Sequence, residues 1–224
     1  MATMAACADN GMAMQITSKL AMRRRILVIS LTFVKVTDQR PDDVLAFWFG
    51  QGADYGKRHK RWFEKDPAFD AEVAARFLNL YEKLSAEHQW MDSPRACLAR
   101  ILMLDQFPRN MFRGTARAFA SDALALEAAR HAVFLAYDRA LLPVERLFVY
   151  LPFEHSERLE DQERACELCQ PLAAFPENDD ALRYALAHRD IIRRYGRFPH
   201  RNAILGRLST PEELEFLNQP GSSF

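Results

Sequence analysis

The sequence predicts an all-α fold of stacked antiparallel helical hairpins, on three observations. Apolar side chains recur at helical spacing over most of the chain after residue 40. Helix-breaking residues are few, with 8 glycines and 11 prolines among 224 residues, which is below their average usage. The connections between the predicted helices are short, and short connections set consecutive helices side by side and antiparallel.

Several helix starts are marked in the sequence. Three of them combine a side-chain cap with a proline at the first helical position. They are Asp66 with Pro67, Ser93 with Pro94, and Thr210 with Pro211, where Glu213 completes a capping box. Further helices are predicted at 121–137, 159–172 and 180–195, and Pro143 opens another. In contrast, residues 26–36 resemble a strand.

The first forty residues differ from the rest of the chain. Three arginines at 23–25 precede an apolar run at 26–34, as in a signal peptide. However, no small-residue cleavage site follows, and the run is too short to cross a bilayer. We therefore expect residues 1–40 to be an atypical, poorly ordered leader, with an added strand or helix and an export signal as the alternatives. Residues 41–224 are predicted to form a single helical domain.

Charge and cysteine content constrain the compartment and the partners. The chain carries 30 basic and 30 acidic side chains, a formal net charge of +0. The chain therefore has no net positive charge that would attract it to nucleic acid or to an anionic membrane. A domain of this length needs no disulfides, so the four cysteines are predicted to be free thiols in a reducing compartment. We expect a cytoplasmic protein that binds no membrane, and nucleic acid is not a favoured partner.

Three segments of the chain share one pattern. Phe-Pro-Arg-Asn occurs at 107–110 and Phe-Pro-His-Arg-Asn at 198–202, and between them Leu-Pro-Phe-Glu-His occurs at 151–155. Proline disfavours the α region in the residue before it. Each preceding helix is therefore expected to end before its proline, with the aromatic ring in the core and the polar residues turned outward.

The polar residues of these segments suit an anion. Arginine provides a planar, permanently charged fork, asparagine offers a donor and an acceptor, and histidine titrates near neutrality. If the segments meet, they predict a pocket for a small molecule that carries a phosphate or carboxylate. The candidate ligand-binding residues are Arg109, Asn110, Arg113, Arg197, Arg201, Asn202, His188 and Gln106.

Any reaction in such a pocket would depend on a histidine held by a carboxylate, and hydrolysis is the expected class. His155 or His200 is the candidate proton carrier, and Glu157 or Asp105 is the candidate partner. General acid–base catalysis needs these groups within hydrogen-bond reach. No metal and no cofactor are predicted. The Cys-x-x-Cys pair at 166–169 lacks the second pair that zinc would need, and no dinucleotide or phosphate-loop motif occurs.

The same residues allow other interpretations. Between positions 183 and 207 there are seven arginines against one acid, Asp190, and this excess of charge needs partners. If the arginines pair with Asp105, Glu154, Glu157 and Asp190, they form a structural network that ties helix ends together. If they are exposed, they form a groove for an acidic peptide in a helical interaction module or, more weakly, a surface for RNA.

Five motifs stand in one order along the chain. They are Val-Leu-Ala-Phe-Trp-Phe-Gly at 44–50, Arg-Trp-Phe at 61–63, Leu-Asp-Gln-Phe-Pro-Arg-Asn at 104–110, Leu-Pro-Phe-Glu-His-Ser-Glu at 151–157 and Gly-Arg-Phe-Pro-His-Arg-Asn at 196–202. Together they resemble the bacterial domain-of-unknown-function family 924, from about residue 41 to residue 224. The resemblance implies an all-helical, tetratricopeptide-like arrangement. It implies no reaction, because that family has no established one.

Overall fold

The computed structural model describes residues 39–222, and every regular element in that part of the chain is helical, as predicted. The leader predicted at 1–40 lies outside the described residues except for its last two positions, and the strand predicted at 26–36 lies outside them entirely. The α-helices are α1 (Pro41–Phe49), α2 (Pro67–Ala86), α3 (Pro94–Ile101), α4 (Phe107–Met111), α5 (Asp122–Phe134), α6 (Pro143–Glu154), α7 (Leu159–Cys169), α8 (Ala181–Tyr195) and α9 (Pro211–Leu217).

The predicted helix caps are confirmed. The side chain of Asp66 accepts a hydrogen bond from the backbone N–H of Ala68 at 2.9 Å, and Ser93 accepts one from a backbone N–H of α3. Thr210 and Glu213 bond reciprocally: Thr210 Oγ1 accepts from the Glu213 N–H at 3.2 Å, and Glu213 Oε2 accepts from the Thr210 N–H at 2.7 Å. These bonds satisfy N–H groups that a helix start leaves without an internal partner.

Two prolines lie inside helical structure where the sequence predicted helix ends. Phe107, which precedes Pro108, is α-helical with φ −61° and ψ −38°, and a π-helical turn at Leu102–Gln106 links α3 to α4. This turn resets the helix so that Pro108 falls in the first turn of α4, where a missing N–H is tolerated. Pro152 lies in the last turn of α6. The predicted end was therefore wrong at both prolines and is confirmed at Phe198, which is extended.

Aromatic side chains form the centre of the core. Trp48, Phe107 and Phe148 are each 0% exposed. The ring centroid of Trp48 lies 5.3 Å from that of Phe107 and 5.6 Å from that of Phe148. The core thus fixes Phe107, and with it the polar residues on either side of this ring. A second, smaller cluster, of Ile191, Ile192 and Phe198, fixes the other Phe-Pro segment.

Consecutive helices pack on one another in the second half of the chain. Helix α5 packs on α6, α6 on α7 and α7 on α8, while α3 packs on both α1 and α5. The connection from α6 to α7 spans only residues 155–158, and a connection this short reverses the chain direction. None of the helices in the described part of the chain is long and apolar enough to span a bilayer.

Candidate functional site

His155 and Asp105 form a hydrogen-bonded pair. His155 follows the last residue of α6, and Asp105 lies in the π-helical turn. Nδ1 of His155 lies 2.6 Å from Oδ1 of Asp105. The Asp105 side chain is completely buried, whereas 14% of the His155 side chain is exposed. Because an ionised carboxylate only accepts hydrogen bonds, the proton in this bond belongs to Nδ1, which leaves a lone pair on Nε2 of the neutral ring.

Electrostatics hold this pair as an anionic carboxylate beside a neutral imidazole. Burial by itself would raise the pKa of Asp105, but Arg109, 3.3 Å away, and hydrogen bonds that include one from Gln106 lower it below its ordinary value. Burial lowers the pKa of His155, Arg109 lowers it further, and Asp105 opposes both effects. At neutral pH the imidazole is therefore in the form that accepts a proton.

Asp122 connects the two Phe-Pro segments. It stands at the start of α5 and accepts two hydrogen bonds from the guanidinium of Arg109, at 2.9 and 3.1 Å. It accepts a third from Nη1 of Arg201 at 3.3 Å. The same Nη1 donates to the backbone oxygen of His155 at 3.1 Å. The three patterned segments of the sequence thus meet around Asp122, Asp105 and His155.

Arg201 is the more deeply buried of these two arginines, with 8% of its side chain exposed. Its guanidinium lies 4.8 Å from the ring centroid of Phe119 and 4.6 Å from that of Phe198. Its Nε is buried and has no hydrogen-bond partner within residues 39–222. Burial and the charge of Arg109 lower the pKa of Arg201 to about 10. The group remains a cation at neutral pH and keeps one donor that no atom of residues 39–222 uses.

A second histidine and a glutamate are buried next to His155. The ring of His188 lies 6.3 Å from that of His155, centroid to centroid, and its Nδ1 contacts the backbone oxygen of Tyr184 at 2.8 Å. Oε2 of Glu154 lies 3.5 Å from the same nitrogen. Burial raises the pKa of Glu154 to about 8 and lowers that of His188 to about 3. Both groups are therefore largely uncharged at pH 7.

The asparagine of the first Phe-Pro segment binds a carboxylate of α2. Asn110 Nδ2 donates to Oδ1 of Asp70 at 2.7 Å. Arg113 grips the same carboxylate through Nε at 2.7 Å and Nη2 at 2.8 Å. These two candidate ligand-binding residues are thus occupied by a protein carboxylate, and the structure brings neither of them into hydrogen-bond contact with His155.

The second segment repeats this arrangement with a carboxylate of α9. Asn202 Nδ2 donates to Oε2 of Glu213 at 3.2 Å. Arg197 donates to the same carboxylate through Nε at 2.6 Å and Nη2 at 2.8 Å. The likeness between the two segments therefore extends to their contacts: in both, an asparagine and an arginine share one acid.

Glu157 pairs with an arginine of the basic segment 183–207, as the structural-network interpretation expects. Its carboxylate accepts two hydrogen bonds from Arg207, at 2.7 and 2.9 Å, and one from the backbone N–H of Phe198 at 2.8 Å. The structure places Asp105, and not Glu157, against His155.

The other candidate proton carrier, His200, is half-buried. Burial, followed by the charge of Arg201, lowers the pKa of His200 to about 4.

Ion pairs, two of them local and five between distant residues, compensate the positive charge at 183–207. Each arginine of this segment has a carboxylate oxygen within 4.0 Å. The pairs are Arg183 with Asp180, Arg189 with Asp190, Arg193 with Glu163, Arg194 with Glu212, Arg197 with Glu213, Arg201 with Asp122, and Arg207 with Glu157. This pairing favours the structural-network interpretation for most of the segment. Of the four acids predicted, Asp190 and Glu157 pair with arginines of the segment, whereas Asp105 pairs with Arg109 and Glu154 lies against His188. The acidic-peptide and RNA hypotheses both require an uncompensated basic face, and residues 183–207 do not provide one.

Comparison with known proteins identifies the family. The family model described as a bacterial protein of unknown function (DUF924) matches residues 44–221. The chain belongs to the DUF924 family. A solved structure of a protein of unknown function from Agrobacterium tumefaciens shares 42% sequence identity with this DUF924 chain, with a TM-score of 0.69. The match covers 80% of this chain and 96% of that one. Among curated proteins, none matches the chain.

Asp122 was not among the predicted site residues of this DUF924 protein. It begins a helix, and an acid in the first turn of a helix has an ordinary explanation in the helix dipole. No sequence signal separates that role from its contacts with Arg109 and Arg201. Phe119, the second ring against Arg201, was not predicted either. A single aromatic residue in a short 3-10 helix forms no sequence pattern that indicates a contact with an arginine.

Metal-ligating side chains and cysteines occur across the described part of the DUF924 chain. Within residues 39–222, no group of three or more histidine, cysteine, aspartate and glutamate side chains is placed to hold an ion. Cys97, Cys166 and Cys169 are free thiols, and Cys7 lies outside the described residues. Burial raises the pKa of Cys169 well above its ordinary value, so this thiol is protonated and behaves as a core residue.

Proposed function

We propose that this protein is a hydrolase for a small anionic substrate, with His155 as its general base. The observation that carries the proposal is the 2.6 Å hydrogen bond between His155 Nδ1 and the buried carboxylate of Asp105. A histidine oriented in this way, with its other nitrogen directed away from the carboxylate, has the arrangement that general-base catalysis requires.

In the proposed reaction, Nε2 of His155 removes a proton from a water molecule. The hydroxide attacks the electrophilic centre of the substrate, and Nε2–H then returns the proton to the departing group, so that the base is regenerated. Asp105 keeps the proton on Nδ1 and stabilises the imidazolium that forms between the two steps. The lowered pKa of His155 supports this role, since the ring is neutral at the pH where it must act as a base.

Arg201 supports the choice of an anionic substrate. Its Nη1 bonds to the backbone oxygen of His155, so that the cation lies directly beside the base. Its Nε has no partner in the described residues, and a carboxylate or phosphate oxygen would satisfy it with a charge-assisted hydrogen bond. Of the four arginines predicted to bind the anion, Arg201 is therefore the favoured one. Arg109, Arg113 and Arg197 each hold a carboxylate through two nitrogens, whereas Arg201 contacts Asp122 through Nη1 alone and keeps its Nε unused within residues 39–222.

Hydrolysis of 4-nitrophenyl phosphate and of 4-nitrophenyl hemisuccinate, one substrate for each kind of anion, tests the proposal. We expect His155→Gln to lower kcat/KM by about 100-fold or more, because general-base catalysis contributes on that scale. Asp105→Asn should also lower it, since the imidazole would lose its orienting carboxylate. His88→Gln is the matched control, because the side chain of His88 is 67% exposed. Equal turnover by wild type and His155→Gln would refute the role of His155.

A second measurement tests anion binding directly, in case the enzyme hydrolyses neither of these two esters. The imidazole signals of His155 can be followed by NMR while inorganic phosphate or succinate is added. We expect the signals to shift in wild type and to stay in place in Arg201→Gln. If neither anion moves them and neither ester is hydrolysed, the proposal fails.

A further inference from the structure

A cavity of about 320 Å³ opens between α1 and α2. Its size is within the range of small-molecule sites in proteins. Its lining includes Asp43, Phe47, Gln51, Arg61, Glu72 and Arg76. None of these residues forms a hydrogen bond or ion pair with Asp105 or His155 in the described part of the chain, so the cavity is distinct from the site proposed above.

Arg61 supplies a cation that no carboxylate of the described residues pairs with. Its Nη2 donates to the backbone oxygen of Phe47 at 2.8 Å. Its Nε is buried and has no hydrogen-bond partner among residues 39–222. Within residues 39–222, Arg201 also has a buried Nε without a partner, but Arg201 pairs with Asp122, whereas Arg61 has no carboxylate partner there. A buried N–H without a partner is unfavourable, and an anionic oxygen from a ligand would satisfy it.

Aromatic rings hold two guanidinium groups at the cavity. Arg61 lies 5.7 Å from the ring centroid of Phe47 and 5.1 Å from that of Phe69, and Arg76 lies 4.5 Å from the centroid of Phe47. The Phe47 and Phe69 rings stack at 5.6 Å with an interplanar angle of 5°. Cations packed on rings of this kind are restricted in their motion, which reduces the entropy lost when they bind an anion.

Two acids line the same cavity. Oδ2 of Asp43 accepts the backbone N–H of Arg40 at 2.8 Å, and Oε1 of Glu72 accepts a hydrogen bond from Arg76 at 2.9 Å. Each carboxylate has a second oxygen as a further acceptor. The lining therefore carries two positive and two negative side chains. A simple anion would be attracted by one pair and repelled by the other.

We propose that this cavity binds a small zwitterion of the α-amino-acid type. The ligand's carboxylate accepts from Nε of Arg61 and from the guanidinium of Arg76, and its ammonium group donates to Asp43 and Glu72. The amide of Gln51 and the ring of Phe47 provide the remaining contacts with the side chain of the ligand. Charges of both signs on one small molecule match charges of both signs on the lining.

Calorimetry on the full chain tests this proposal, with L-leucine, L-glutamine and L-phenylalanine as separate probes. At least one should bind, and its N-acetyl and carboxamide derivatives should bind about tenfold more weakly or worse, because each lacks one charged hydrogen-bonding group. Arg61→Gln should weaken binding by a similar factor. Arg164→Gln, a change to an exposed arginine that pairs with Glu167, should not.

Specific calorimetric results would overturn the proposal. Absence of binding by all three probes overturns the proposal, as does equal affinity for an amino acid and its N-acetyl derivative, which would show that the acids play no part. If Arg61→Gln does not fold, Arg76→Gln replaces it, since the side chain of Arg76 is 49% exposed. Unchanged affinity in that variant also overturns the proposal. His155→Gln should bind the amino acid normally, so failure at one site is distinguishable from failure at the other.

Discussion

Arg109 and Arg201, which occupy equivalent positions in the two Phe-Pro segments, donate to the same carboxylate, that of Asp122. Each is followed by an asparagine that binds a separate acid, Asp70 in one case and Glu213 in the other. The two segments thus converge from distant parts of the sequence on one ion-pair cluster beside His155. The position of the candidate base depends on this convergence, because Arg201 also holds the backbone oxygen of His155.

Replacement of Asp122 by asparagine should destabilise the fold. The change would leave Arg109 and Arg201 close together without the anion between them, and breaking a largely buried ion pair costs about 3 kcal/mol. Urea denaturation at neutral pH measures the loss. Glu212→Gln is the control, because its pair with Arg194 is exposed and such pairs contribute little to stability. Equal losses in the two variants would contradict the central role of Asp122.

Removal of the Asp105 charge should lower the pKa of His155 further. Burial and Arg109 already lower this pKa, and the negative charge of Asp105 opposes them. In Asp105→Asn the opposing charge is gone, so protonation of the ring becomes less favourable. An NMR titration of the imidazole gives the pKa directly. Asp190→Asn should leave it unchanged, since Asp190 is exposed and pairs with Arg189. A rise in the Asp105→Asn variant would be inconsistent with the structure.

Glu154 should make the protein less stable as the pH rises. Burial raises its pKa in the folded state to about 8, far above the ordinary value of a glutamate in an unfolded chain. The folded state therefore binds more protons between these two values, and stability falls through that window by at most about 1.4 kcal/mol per pH unit. Stability from this group is complete below the unfolded pKa and is lost as the pH passes about 8.

Glu154→Gln isolates this contribution. The variant cannot ionise at this position, so its stability relative to wild type should increase from pH 5 to pH 8 when both are unfolded with urea. Glu163→Gln is the control, because Glu163 is half exposed and lies outside the core. A constant difference between Glu154→Gln and wild type across this range would show that Glu154 is already ionised in the folded protein.

Truncation of Phe107 should be among the most damaging single changes. The ring is fully buried and lies 4.9 Å from Phe77 and 5.3 Å from Trp48. Phe107→Ala should lower the free energy of unfolding by about 3 to 5 kcal/mol, since it removes buried apolar surface and leaves a cavity. Phe134→Ala, at a side chain that is 85% exposed, should change stability by less than about 0.5 kcal/mol. Thermal and urea denaturation distinguish the two variants.

Local features of the fold could be predicted from the sequence. The caps at Asp66, Ser93 and Thr210 form as expected, because a cap and the N–H groups that it satisfies lie within a few residues of one another. That helical structure continues through Pro108 and Pro152 could not be predicted. At Pro108, a π-helical turn and the packing of Phe107 override the local preference that proline imposes, and that preference is a weak one compared with the burial of a ring.

By itself, the sequence determined that the described part of the chain is helical, where its capped helices begin, and which three segments carry the candidate site residues. These are properties of residues close together in the chain. Only the tertiary structure decided that Asp105 meets His155, that Asp122 holds Arg109 and Arg201, and that no carboxylate within residues 39–222 pairs with Arg61. One aspartate has the same charge as another, so the pairing of distant groups depends on which surfaces the packed helices bring within a few ångströms.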